Sequence, residues 1–351
     1  MIEIKKKLNY VFDIVLILVI GVLTFRLLFR TEELPDIIKL VGRADKRWLL
    51  LGLLFVFCFV AGESAIIRYM LRLFRLRLPF VRCLKYSFIG FFFSCITPSA
   101  SGGQPAQMYY MKKDGIKLGH STLIMMVITA AYKAVLVFLG LFFIVFRYGY
   151  IMKHVGDLWW LMLIGFGLNV TFIIGLIFLF FRPLWAKSLA KKLVRLLIIV
   201  KILKKKNYER YAKRISRVCD TYMVGAEYIK HNVKAVAKVF LITLVQRCFL
   251  LSVTWIVYKS YGLYGTRFID IIAIQAIIGI TVEMLPLPGA AGITEGCFSL
   301  MFIGVFPEMY LKPALLLSRG LSFYALLMIS AAVTLAAHII MIRKEKRSLK
   351  T

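Results

Sequence analysis

Apolar residues in this chain run in blocks too long and too unbroken for the helices of a soluble core. A helix that spans a bilayer needs about 20 predominantly apolar residues. Runs of that kind fall near residues 10–29, 48–67, 120–146, 158–181, 235–258 and 314–342, and they predict six full crossings. Two further apolar regions, 86–110 and 268–306, are interrupted by Pro and Gly and predict broken segments. The pattern therefore gives an all-α polytopic membrane protein of roughly eight membrane segments.

Composition supports that class. The 351 residues are 61% hydrophobic yet carry a formal net charge of +30, a combination foreign to soluble domains. Nucleic acid is not the expected partner, because Lys and Arg lie between apolar runs rather than on a polar domain. The basic start "MIEIKKK" leads into an apolar run too long for a signal-peptide core and without a small-residue cleavage site, which predicts a retained first helix. Six cysteines and four histidines are scattered without metal-ligand spacing, so neither a metal nor a cofactor is expected.

Charge asymmetry orients the chain. Lys5–Lys7, the 68–85 connection, residues 112–117, the 182–234 segment and the tail from Arg343 hold most of the 47 basic residues. The positive-inside rule then places both termini in the cytoplasm of a bacterial plasma membrane. With Lys85 and Lys112 on the same side, 86–110 enters and leaves from the cytoplasmic face; 268–306 must do the same from the outer face, as a re-entrant loop or as two short crossings. The two hairpins oppose each other. Their tips also align without gaps at an offset of 190, "PSASG" (98–102) over "PGAAG" (288–292). Opposed topology with matching tips predicts an inverted repeat whose discontinuous helices meet near the midplane, where transporters bind substrate. The halves are 1–181 and 235–342, joined by the basic amphipathic connector 182–234 within a single 1–351 domain.

Backbone that leaves the helix inside a bilayer is tolerated only where protein or a hydrated cavity covers it. Gly102, Gly103, Gly289 and Gly292 permit tight turns beside Pro288, and Pro105 suits the first turn of an outgoing half-helix. Ser99, Ser101, Gln104, Gln107 and Thr294 offer hydrogen bonds to the freed groups or to a ligand. Lys133 and Arg247 fall near the centres of their spans; Glu63, Glu283 and Glu295 lie in or beside apolar runs, and Arg319 early in the last. A central charge costs about 2.5–3.5 kcal/mol to insert. Three acids and three bases are expected to pair, either as a structural network or as a groove for a charged headgroup in which Glu283 or Glu295 carries a proton.

At "ITPSASGGQPAQMYYM", "LPLPGAAGITEG" and "SRGLSFY" the chain resembles the flippase-like transmembrane domain of the bacterial lysylphosphatidylglycerol synthase family (multiple peptide resistance factor). The resemblance covers nearly the whole chain, with Ser101, Gly102, Gly103 and Pro105 in one motif, Pro288 to Gly292 with Glu295 in the other, and Arg319 in the last helix. Gln104 and Gln107 depart from the acidic and basic residues common at those places. The resemblance implies translocation of a lipid: an anionic or aminoacylated phospholipid, or a glycolipid. Aminoacyl transfer belongs to a soluble domain that follows the membrane part in full-length members, and it is not expected here. Two alternatives stay open: a membrane-embedded lipid transferase, and a membrane subunit for a separate synthase or glycosyltransferase.

Overall fold

The computed structural model describes residues 39–182, 184–185, 187–189, 192, 194–195, 208–287, 289–290 and 292–348. The crossing expected at 10–29, most of the amphipathic run after Trp185, Pro288 and Ala291 lie outside the described residues. What is described is helical. The first helix, α1 (Lys46–Leu73), starts at Asp45, whose carboxylate accepts the Arg47 N–H at 2.8 Å, a cap that satisfies a donor the helix leaves open. Next come α2 (Phe80–Ile96) and α3 (Gly103–Lys113), separated by the first break. Then α4 (Leu118–Val155) and α5 (Trp159–Phe181) fold back on each other through a 3-10 turn at Gly156–Leu158. The span expected at 120–146 runs on to Val155 because the helix bends at Arg147 (φ −134°, ψ 30°) instead of stopping there.

After α6 (Tyr208–Lys230), the second half begins with α7 (Val233–Ser260). It continues through α8 (Phe268–Val282), the second break, α9 (Ile293–Met301) and α10 (Glu308–Arg319). A π turn at Gly320–Ala325 leads into α11 (Leu326–Ser348). Among the described residues, the stretches long and apolar enough to cross a membrane are Lys46–Leu73, Leu118–Phe181 (α4 with α5), Val233–Ser260 and Glu308–Met341. The arms of the hairpins are not. At 1.5 Å per residue, α2 and α3 reach about 25 and 16 Å, and α8 and α9 about 22 and 13 Å, against a hydrocarbon core of about 30 Å.

The two halves are an inverted repeat. Trp48 meets Trp255 and Phe55 meets Phe249 edge to face, at 5.7 and 5.1 Å between ring centres, and the Asp45 N–H donates to Ser260 O at 2.9 Å. Gly62 packs on Gln246, so α1 and α7 run antiparallel along their length. At the offset of 190, α3 and α9 start at Gly103 and Ile293, and α4 and α10 at Leu118 and Glu308. Cross-packing obeys the same symmetry, α2 lying against α11 and α8 against α4.

The hairpins consequently open to opposite ends. Both ends of the first meet at the basic end, where Lys85 Nζ and the Tyr86 hydroxyl reach Asp114 just past α3, at 2.5 and 2.6 Å. Both ends of the second lie at the other end, where Asp270 and Ile303 line one pocket with Tyr150 and Arg267. Two apolar clusters fill the body. One holds Phe59, Val60, Val135 and Leu251; the other holds Ile66, Ile67, Ile124 and Val239. Between them, α1 carries Glu63, α4 Lys133 and α7 Arg247, so the charges form a layer between two cores.

Asp114 lies outside the membrane-spanning segments. Burial pushes its carboxyl up, but hydrogen bonds from Lys85 and Tyr86 with the charges of Lys85 and Arg82 outweigh this and hold it below its ordinary value. A lowered folded-state pKa adds stability that is present above the unfolded value and lost as pH falls through the folded one. Asp114→Asn is expected to lower the unfolding free energy in detergent at neutral pH by on the order of 1 kcal/mol after allowance for solvent screening, read as a lower thermal midpoint. The gap between variant and wild type closes in acid below the carboxylate range; a gap constant across pH contradicts the ion pair's role.

Candidate functional site at the meeting of the hairpins

The first break is held from within and from across the molecule. Thr97 Oγ1 accepts the Gly102 N–H at 2.8 Å, and the Ala100 and Ser101 N–H groups donate to Thr97 O and Pro98 O. Ser99 (φ 49°) and Ala100 (φ 55°) both take the left-handed conformation. The second break repeats this at the same offset: Gly289 (φ 58°) and Ala290 (φ 50°) are left-handed, and the Ala290 N–H donates to Leu287 O as Ala100 does to Thr97 O. Non-glycine residues pay for that conformation, so its recurrence at Ala100 and Ala290 marks a built turn.

The tips touch. Ser99 Oγ donates to Leu285 O at 3.3 Å, from one hairpin to the other. Pro98, Ser99, Ala100 and Ser101 are exposed, so the first tip borders open space rather than packed protein. Close approach of α2 and α3 explains two glycines: a Cβ on Gly103 would run into Ser94 and the Gly90 carbonyl, and one on Gly90 into the Gln107 amide.

Two residues before Leu285, Glu283 bridges two cations. Lys133 Nζ lies 2.7 Å from its Oε1 and an Arg247 terminal nitrogen 2.5 Å from its Oε2. The Arg247 guanidinium also stacks 3.5 Å from the Tyr132 ring centre, a cation–π contact. The Glu283 side chain keeps 22% of its exposure while Lys133 and Arg247 keep 9% and 6%, so the carboxylate faces the open side of a buried cationic pair.

A second group braces the other tip. Glu295 accepts Arg319 Nε at 2.7 Å on one oxygen and the Gly292 N–H at 2.7 Å on the other, and Arg319 also donates to Gly289 O at 3.2 Å. Thus the freed N–H and C=O of the second break find their partners in one ion pair. The π turn begins immediately after Arg319 and places Phe323 under its guanidinium, 4.5 Å from the ring centre.

Family-model comparison covers both tips and the charged layer: residues 12–330 match the lysylphosphatidylglycerol synthase TM region. The chain belongs to that family. None of the curated proteins compared with it matches. It is a multi-pass membrane protein of that family.

Not every expected residue joins the meeting point. Ser99, Gly289, Gly292, Lys133, Arg247, Glu283, Glu295 and Arg319 do. Gln104 turns away to Thr129 Oγ1 (3.3 Å), Pro105 is exposed in the first turn of α3, and Thr294 caps back onto Ala290 O at 2.8 Å. Ser101 enters through its backbone and Gly102 through its N–H to Thr97. Gln107 donates to Glu63 Oε1 at 2.5 Å, which gives Glu63 a place in the layer. Among the described residues Glu63 has no cationic partner. An acid at position 63 is visible in the sequence, but which of three acids lacks a base depends on contacts across 44 to 150 residues.

Removing one member of a buried ion pair costs about 3–5 kcal/mol, because the remaining charge is left uncompensated. Glu283→Gln is expected to lower the unfolding free energy of the purified protein by that order, seen as a lower unfolding midpoint, and Lys133→Met in the same chain to restore part of it. Equal midpoints for wild type and Glu283→Gln would mean that the charges are solvated separately.

Proposed function

We propose that the chain moves a lipid between leaflets, with the headgroup passing through the charged layer where the hairpins meet and the acyl chains staying in the bilayer. Family membership supports a role in membrane lipid chemistry. The observation that carries the reading is the contact of Ser99 with Leu285, two residues from a part-exposed carboxylate that holds Lys133 and Arg247. Discontinuous helices meeting at mid-depth around polar groups are the arrangement by which inverted-repeat transporters form a substrate site.

In this reading a phosphate-bearing headgroup exchanges with Glu283 for Lys133 and Arg247, since guanidinium and ammonium groups bind phosphate and carboxylate alike. The Arg319–Glu295 pair keeps the second tip in shape. The proton-carrying role goes to Glu63, because Glu283 and Glu295 are held by cations while Glu63 accepts only from neutral groups, Gln107 on α3 and Ser87 on α2. Tyr132 on α4, with Arg247 and Glu283 beyond it, supplies the remaining polar neighbours. The basic end faces the cytoplasm in this reading, as the charge bias requires.

The test is translocation in proteoliposomes with headgroup-labelled phosphatidylglycerol, aminoacylated phosphatidylglycerol and a neutral glycolipid. Movement of one class is expected, abolished by Arg247→Gln and by Arg319→Ala, with Glu63→Gln removing its pH dependence. If folded protein moves none of them, the translocator reading fails and a membrane partner of a lipid-modifying enzyme takes its place; an unchanged pH profile in Glu63→Gln removes the proton role alone.

A further inference from the structure

Four arginines gather at the basic end, beyond the charged layer along α1, where Arg68 follows Glu63 by five residues. Arg68 and Arg72 stand one turn apart at the end of α1, Arg75 and Arg77 lie in the connection to α2, and with Leu78 and Pro79 they line an open cavity of about 910 Å³. Among the described residues none of the four has a carboxylate partner. The acids described at this end are already taken: Asp114 by Lys85, Asp220 by Lys187 and Glu227 by Lys230. Arg68 Nε is buried without any hydrogen-bond partner, a donor whose desolvation nothing described offsets.

Backbone conformation adds an independent sign. Arg75 has φ 60°, in the left-handed region where an L side chain is disfavoured and glycine is at home. The connection puts a long cation at the place where a glycine is the easier fit. Like charges facing one cavity also repel, so the arrangement gains most when an anion enters. Guanidinium groups present paired N–H donors in a plane that matches phosphate oxygens.

From this we propose that the arginine cavity binds a phosphate-bearing anion, the headgroup of an anionic phospholipid docked at the basic end. The lipid source fits the position. The cavity sits where α1 ends and α2 begins, and Val81, in the first turn of α2, is 74% exposed beside it, an apolar surface for the glycerol and first methylenes. The site gathers anionic lipid whether or not the chain translocates it, so it stands or falls separately from the translocator reading.

Full-length protein in mixed nanodiscs, with co-retained lipid counted by mass spectrometry, tests the proposal. Phosphatidylglycerol and phosphatidylethanolamine are supplied at equal amounts, with inorganic phosphate or pyrophosphate added as competitor. Wild type is expected to keep phosphatidylglycerol several-fold in excess, the excess shrinking with added salt. The triple variant Arg72→Gln, Arg75→Gln, Arg77→Gln, all exposed positions, is expected to lose it. Arg75→Gly suits the backbone better while removing one charge, so it separates binding from folding: a reduced excess at an undiminished unfolding midpoint supports the site. Displacement by pyrophosphate alone, with no lipid preference, would assign the cavity to a soluble phosphate instead of a headgroup. Equal retention of both lipids without competition by phosphate, or an unchanged excess in the triple variant, overturns the proposal.

Discussion

Hydrocarbon offers no partner to a peptide N–H or C=O, so a membrane helix that stops half-way must find partners for its freed groups inside the protein. Here each break is closed by side chains chosen for that task. Thr97 takes the Gly102 N–H, Glu295 takes the Gly292 N–H, Arg319 takes the Gly289 carbonyl, and Ser99 reaches across to the Leu285 carbonyl. The last of these couples the two hairpins. Neither tip is complete without its opposite, and the antiparallel packing of α1 on α7 fixes the distance at which they face each other.

That geometry explains why charges are affordable at this depth. Glu63, Lys133 and Arg247 are placed between two apolar clusters by helices that contribute to both, and Glu283 is delivered by the end of α8 to the space between the cations. A buried carboxylate shared by Lys133 and Arg247 offsets two desolvation costs with one group, and it remains the member with the most exposure. On the proposed function, a ligand anion arriving from the open side would meet cations already in position, and preorganised donors of this kind lose little on binding. On the same proposal, the residues that pair with one another here are the ones that would receive the headgroup.

Much of this was legible in the chain. The alignment of 98–102 with 288–292 predicted equivalent tips, and the structure returns equivalent backbone: left-handed residues at 99 and 100 and at 289 and 290, with helices starting at 103 and 293. Apolar run lengths gave the crossings that fall among the described residues, except that α4 continues beyond 146 through a bend that no proline announces; the run at 10–29 lies outside them. Partner choice was not legible. Whether Glu283 pairs with Lys133, Arg247 or both is decided by contacts across 150 and 36 residues, and the π turn after Arg319 was not foreseen from the apolar runs. Arg68, Arg72, Arg75 and Arg77 read along the chain as flanking positive charge; only the turn at Arg75 brings them to one cavity.

The central claim is that two hairpins enter from opposite faces and stop where they meet. Single cysteines at Arg82 and Lys113, and at Arg267 and Glu308, in a cysteine-free chain labelled on intact cells with a membrane-impermeant maleimide, test it most directly. The account predicts labelling at 267 and 308 and protection at 82 and 113 until the membrane is opened. Labelling of one end of a hairpin but not the other would show a full crossing, and labelling of all four from one side would contradict the inverted arrangement.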